Sequence, residues 1–155
     1  MADVTSAIDY ELSFLESAFE QNPTVAFPQW QRTFRTALDQ WRLDRAQQWL
    51  QLVKRRPLST WQQSAMRYLE GELALRTGHW PRAADTLQRS LDLQRRLGDK
   101  AGELAVLVAL ANLQRRMDHP LSEVVALLQQ AQQIVAEIGT SLDRAAVLNS
   151  LGLVY

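Results

Sequence analysis

Apolar side chains recur along this chain at intervals of three and four residues, the spacing that gathers them on one face of an α-helix. Ile8, Leu12, Leu15 and Phe19 form one such stripe and predict an N-terminal helix that stops before Asn22-Pro23. Trp30, Phe34, Ala37 and Leu38 form a second, and Ala46, Trp49, Leu50 and Val53 a third that Pro57 closes. Ser59 with Gln62, or Thr60 with Gln63, offers a capping box for a fourth helix running to about Thr77. Pro81 suits the first turn of a fifth, where its missing N–H has no helical partner to lose. Gly98-Asp99 reads as a C-cap glycine followed by an N-cap, and His119-Pro120 and Gly139-Thr140-Ser141 repeat that punctuation. Alternating segments bounded by hairpin turns are nearly missing. The pattern predicts an all-α chain of about eight helices joined by short turns.

One residue in the fourth stripe needs a reason. Glycine inside a helix costs about 1 kcal/mol relative to alanine, so Gly71 implies a packing demand. The demand recurs. Residues 95–113 laid over 136–154 bring Gly98 onto Gly139, Ala105 onto Ala146, Leu107 onto Leu148, Leu110 onto Leu151 and Ala111 onto Gly152, at an offset of 41. Forty residues before Ala111 stands Gly71. A small residue midway along a helix therefore repeats as Gly71, Ala111 and Gly152, which marks an internal period of one supersecondary unit.

EGELALRTGHWPRAADTLQRSL, with Gly71, Gly78, Trp80 and Ala83, resembles a tetratricopeptide (TPR) repeat, and LNSLGLVY, with Leu151, Gly152 and Tyr155, is similar to the start of another. The 40–41 residue spacing looks like the longer variant of that family. The resemblance covers residues 28–155, densest at 64–97. It thins at 101–138, where Asp118-His119 and Leu121 replace the turn glycine and the aromatic, and the unit around Leu43 and Ala46 has no turn glycine. It implies a right-handed α-solenoid of antiparallel helix pairs: a capping helix over residues 1–22, then about three units and the first helix of a fourth over 28–155. Gly71 and Ala83 are then expected to meet at one helix crossing, with Trp80 filling the gap beside it. Each unit leaves an apolar face for its successor to bury.

Composition narrows the function classes. The chain has no cysteine, hence no disulfide framework or thiolate chemistry. The start, MADVTSAIDY, lacks the basic and apolar regions of a secretory signal, and no apolar run approaches the length that crosses a bilayer, so a soluble cytoplasmic protein is expected. Net charge is zero, yet residues 1–31 hold Asp3, Asp9, Glu11, Glu16 and Glu20 and no base, which leaves a basic surplus of five on the remainder. His79 and His119 fall in predicted turns; with no nucleophile–base arrangement and no phosphate-binding glycine motif, no catalytic, cofactor or metal site is expected. The five tryptophans fall near helix ends or on apolar stripes and are expected mostly in the core, with one or two left to anchor a partner.

The resemblance implies a concave wall built from the first helix of each unit. Phased on the small residues, that wall holds Gln31 and Arg35, then Tyr68, Glu72 and Arg76, then Asn112, Arg115 and Arg116, and finally Asn149. Arginine forks pair bidentately with carboxylates, so an acidic peptide or a chain-terminal carboxylate is a ligand that suits it. The competing reading is that these arginines form ordinary helix-surface ion pairs. A protein-interaction module is the leading expectation. Self-association through Leu148, Leu151 and Tyr155, as a homodimer, is the second. Single-stranded RNA binding is the third, weakened by neutral charge and by the absence of an aromatic-interleaved basic stripe.

Overall fold

The computed structural model describes residues 4–138, with side chains from Tyr10 onward. The described residues form seven helices and no strand, so the chain is all-α. The eighth expected helix falls in 139–155, outside the described residues, as do Leu148, Asn149, Leu151, Gly152 and Tyr155. The chain divides into two compact units, Met1–Leu58 and Ser59–Tyr155. Among the described residues no helix is long and apolar enough to cross a membrane.

The first unit contains α1 (Val4–Gln21), α2 (Pro23–Asp39) and α3 (Leu43–Lys54). Helix α1 ends where its stripe predicts and buries Leu15 and Phe19, while Tyr10 and Phe14 face outward. Helix α2 starts earlier than its stripe suggests. Asn22 accepts from the Val25 N–H and Pro23 occupies the first turn, so the motif that stops α1 also starts α2. Pro28 lies inside this helix, where only the carbonyl of exposed Thr24 loses its helical donor. The core is aromatic. Phe27, Trp30 and Phe34 are fully buried with tilted rings 5.3 and 5.2 Å apart, and the Trp30 indole N–H donates to the Trp49 carbonyl at 2.8 Å.

The second unit contains α4 (Thr60–Arg76), α5 (Trp80–Leu97), α6 (Lys100–Arg116) and α7 (Leu121–Ile138), each packed chiefly on its neighbour in sequence. Of the two capping boxes offered by the sequence, Ser59 with Gln62 forms: each side chain bonds the other's backbone N–H. Asp99 caps α6 through the Gly102 N–H. The buried core, which includes Ala83, Leu87, Leu107, Ala111 and Leu128, is aliphatic, and Trp80 packs half-buried against it. Gly71 is indeed at a close approach, but the residue opposite is Leu87, not Ala83. A Cβ on Gly71 would sit 2.7 Å from the Leu87 Cγ and Cδ2, inside van der Waals contact. The α4–α5 contact also carries an unforeseen polar element. The Ser90 hydroxyl donates to the Ser64 carbonyl at 3.0 Å and the Ser64 hydroxyl to the Ser90 carbonyl at 3.4 Å, with both residues fully buried.

Four helices end in one and the same turn. After α2 the Trp41 N–H bonds the Leu38 carbonyl and the Arg42 N–H the Ala37 carbonyl; after α4, Gly78 and His79 bond Leu75 and Ala74. Gly98 and Asp99 after α5, and Asp118 and His119 after α6, repeat the arrangement. This Schellman closure needs a left-handed residue at its bend, the reason glycine is favoured there. Gly78 and Gly98 supply it at φ 79° and 68°. Asp118 and Trp41 adopt it with side chains attached, at 56° and 55°. The unit with no turn glycine thus makes the glycine's turn with tryptophan.

Candidate functional site

The residues expected to line a concave wall stand on α2, α4 and α6. In the second unit Tyr68, Glu72 and Arg76 follow one another at four-residue spacing along α4, all half-buried. The Arg76 guanidinium donates to the Glu72 carboxylate at 2.9 Å, so this arginine already holds an ion pair of the kind the competing reading assigns. On α6, Asn112 and Arg115 are half-buried and Arg116 is exposed. In the first unit Gln31 is half-buried and Arg35 exposed. Asn149 lies outside the described residues.

The histidines occupy turns. His79 is the N-cap residue of α5, with its Nδ1 2.9 Å from the Thr77 hydroxyl, and the His119 Nδ1 lies 3.3 Å from the Glu123 carboxylate. Of the tryptophans, Trp30 and Trp49 are core residues and Trp80 is half-buried, but Trp41 is 66% and Trp61 46% exposed. Trp41 and Trp61 are therefore the two tryptophans outside the core. A Schellman bend projects its side chain away from the helix it terminates, and a stripe pattern cannot register that.

Two hollows lined by described residues open on the first unit. The larger, about 660 Å³, is lined by acids and bases together, Glu16 and Glu20 with Arg55 and Arg56. Arg56 turns inward there, stacking over the Phe19 ring at 5.2 Å and donating to the Glu16 carbonyl. The smaller, about 360 Å³, has a different character. Arg32 from α2, and Arg42 and Arg45 from the start of α3, converge on it, with buried Ala37 and Trp49 also lining it. Glu11 of α1 lines it too, yet among the described residues none of the three arginines forms an ion pair. Thr33 and Thr36 use their hydroxyls on carbonyls one turn back. The N-cap residue of α3 is Arg42 itself, whose side chain makes no capping bond, so the first-turn N–H groups of α3 have no side-chain acceptor.

The sequence reading missed this cleft. Its cations are ten and three residues apart, a separation with meaning only once α3 packs on α2 past the Trp41 turn. Glycine at that bend would have signalled the turn; tryptophan hid it. Comparison with models of protein families and with curated proteins finds no match to this chain.

Proposed function

We propose that the chain is a protein-interaction module built as a TPR-like, right-handed solenoid of antiparallel helix pairs. The observation that carries this reading is the repeat of one local design. Helices α2, α4 and α6 are each 17 residues long, and each ends in a Schellman turn, with left-handed residues Trp41, Gly78 and Asp118 spaced 37 and 40 residues apart. After each turn a second helix packs on the first. In the α4–α5 pair the hydrogen-bonded Ser64–Ser90 contact and the Gly71–Leu87 contact fit helices running in opposite directions. Buried Ala111 holds on α6 the place that Gly71 holds on α4. Stacked repeats present long helical faces shaped for polypeptide rather than enclosed pockets.

In this reading the half-buried polar rows of α4 and α6 contact a partner peptide, with Arg115 and Arg116 free to meet its carboxylates and Arg76 engaging only by exchanging Glu72 for the ligand. The test is affinity capture with wild type and an Arg76→Glu/Arg115→Glu variant, followed by reconstitution with the purified partner. Direct binding by wild type, lost in a variant that keeps its helical circular dichroism and melting temperature, supports the reading. A partner held equally by both places binding elsewhere on the chain.

A further inference from the structure

We propose that the cleft of Arg32, Arg42 and Arg45 is a docking site for an acidic peptide segment of a partner protein, with Trp41 as the apolar anchor beside it. The inference rests on the reading of the chain as an interaction module but assigns a site outside the rows of α4 and α6.

Charge complementarity carries the first step. Three arginines line a hollow of about 360 Å³, and among the described residues none of them is paired with a carboxylate. Like charges gathered at one hollow repel one another, and an incoming carboxylate relieves that repulsion while accepting forked hydrogen bonds. The neighbouring hollow on the same unit shows the alternative, where Arg55 and Arg56 share their space with Glu16 and Glu20. The uncapped start of α3 adds to the same field, since its first-turn N–H groups carry partial positive charge and Arg42 and Arg45 of that turn line the cleft.

Trp41 carries the second step, and by an independent observation. It stands between Gln40 and Arg42, both of which line the cleft, and is 66% exposed. It also occupies a left-handed bend at φ 55°, where a bulky side chain is a conformational outlier that glycine would relieve. A left-handed backbone position that presents a large, mostly exposed ring points to recognition. Tryptophan is the side chain most enriched in binding hot spots, and arginine is enriched with it. Glu11, the one acid among the described lining residues, favours a peptide whose charges are spread along its length over a compact polyanion. A peptide of acidic residues around one apolar side chain satisfies both halves of the surface.

Fluorescence polarisation with a fluorescein-labelled nonapeptide of glutamates around a central leucine tests this on the full chain. Binding is expected to weaken with salt and to fall by about tenfold or more in Arg32→Glu/Arg42→Glu, less in the neutral Arg32→Gln/Arg42→Gln, and not in the surface control Arg89→Glu. Replacing the leucine with glutamine, or Trp41 with glycine, is expected to weaken binding, and Trp41→Gly is expected to raise the melting temperature at the same time. Absence of binding, or binding indifferent to the cleft variants, overturns the proposal. Peptide binding lost in Arg76→Glu/Arg115→Glu but kept in the cleft variants also overturns it and leaves the module reading intact. A single-stranded oligonucleotide bound more tightly than the peptide through the same arginines replaces the proposed ligand class. If Trp41→Gly lowers the melting temperature and leaves affinity unchanged, the anchor is withdrawn.

Discussion

The two units fill similar helical frameworks in opposite ways. Met1–Leu58 buries large rings, with Phe27, Trp30, Phe34 and Trp49 at its centre, and its third helix has only 12 residues. Ser59–Tyr155 buries no aromatic among the described residues; its interior is leucine, valine and alanine, and its helices have 17 or 18 residues. The short α3 contributes few side chains, so the rings of α2 supply much of the apolar area against it, and a ring with a polar edge needs a partner such as the Trp49 carbonyl. Long helices contribute many contacts and gain by approaching closely, which is where Gly71 replaces a side chain with the flank of Leu87. The first strategy concentrates energy in a few residues, whereas the second spreads it.

Substitutions can break that contrast. The largest effect is expected for Trp30→Ala, a loss of about 3–5 kcal/mol by denaturant unfolding, since a whole buried ring and its hydrogen bond vanish together. Leu87→Ala is expected to lose about 2–4 kcal/mol. Gly71→Ala then sharpens the comparison. It is expected to destabilise by about 1–2 kcal/mol despite the better helix propensity of alanine, because the new methyl meets fully buried Leu87. In the Leu87→Ala background the same substitution is expected to turn stabilising, and a double-mutant cycle measures the change of sign. Ser90→Ala, which removes one hydroxyl bond while the Ser64 carbonyl keeps its place in the helix, is expected to lose about 1 kcal/mol. The smallest effect has the opposite direction: Trp41→Gly is expected to gain about 0.5–1 kcal/mol, as relief of the left-handed strain outweighs the added chain entropy of glycine.

Legibility from sequence followed the range of the interaction. The Ser59 capping box, the Gly98–Asp99 turn and the end of α1 are set within three or four residues, and all three are where the residue pattern puts them. The close approach at Gly71 was legible because a mid-helix glycine has a cost, but its partner was not, since Ala83 and Leu87 lie on the same side of α5 one turn apart. The start of α2 lies seven residues before its apolar stripe begins at Trp30, because the Asn22 cap and Pro23 set it rather than the stripe. The Trp41 bend defeated the reading because residue identity there opposes the conformation adopted. With that bend hidden, the convergence of Arg32, Arg42 and Arg45 was hidden as well.

The serine pair inside α4–α5 has a consequence for how those helices can move. Each hydroxyl finds its acceptor on the backbone of the opposite helix. Sliding α5 by one turn, about 5.4 Å, would break both cross-helix hydroxyl bonds and lift Leu87 from the hollow at Gly71. Leucine and alanine alone tolerate such slippage, because one aliphatic ridge fits much like the next. Ser64 and Ser90 therefore add a directional contact to an otherwise aliphatic seam between α4 and α5.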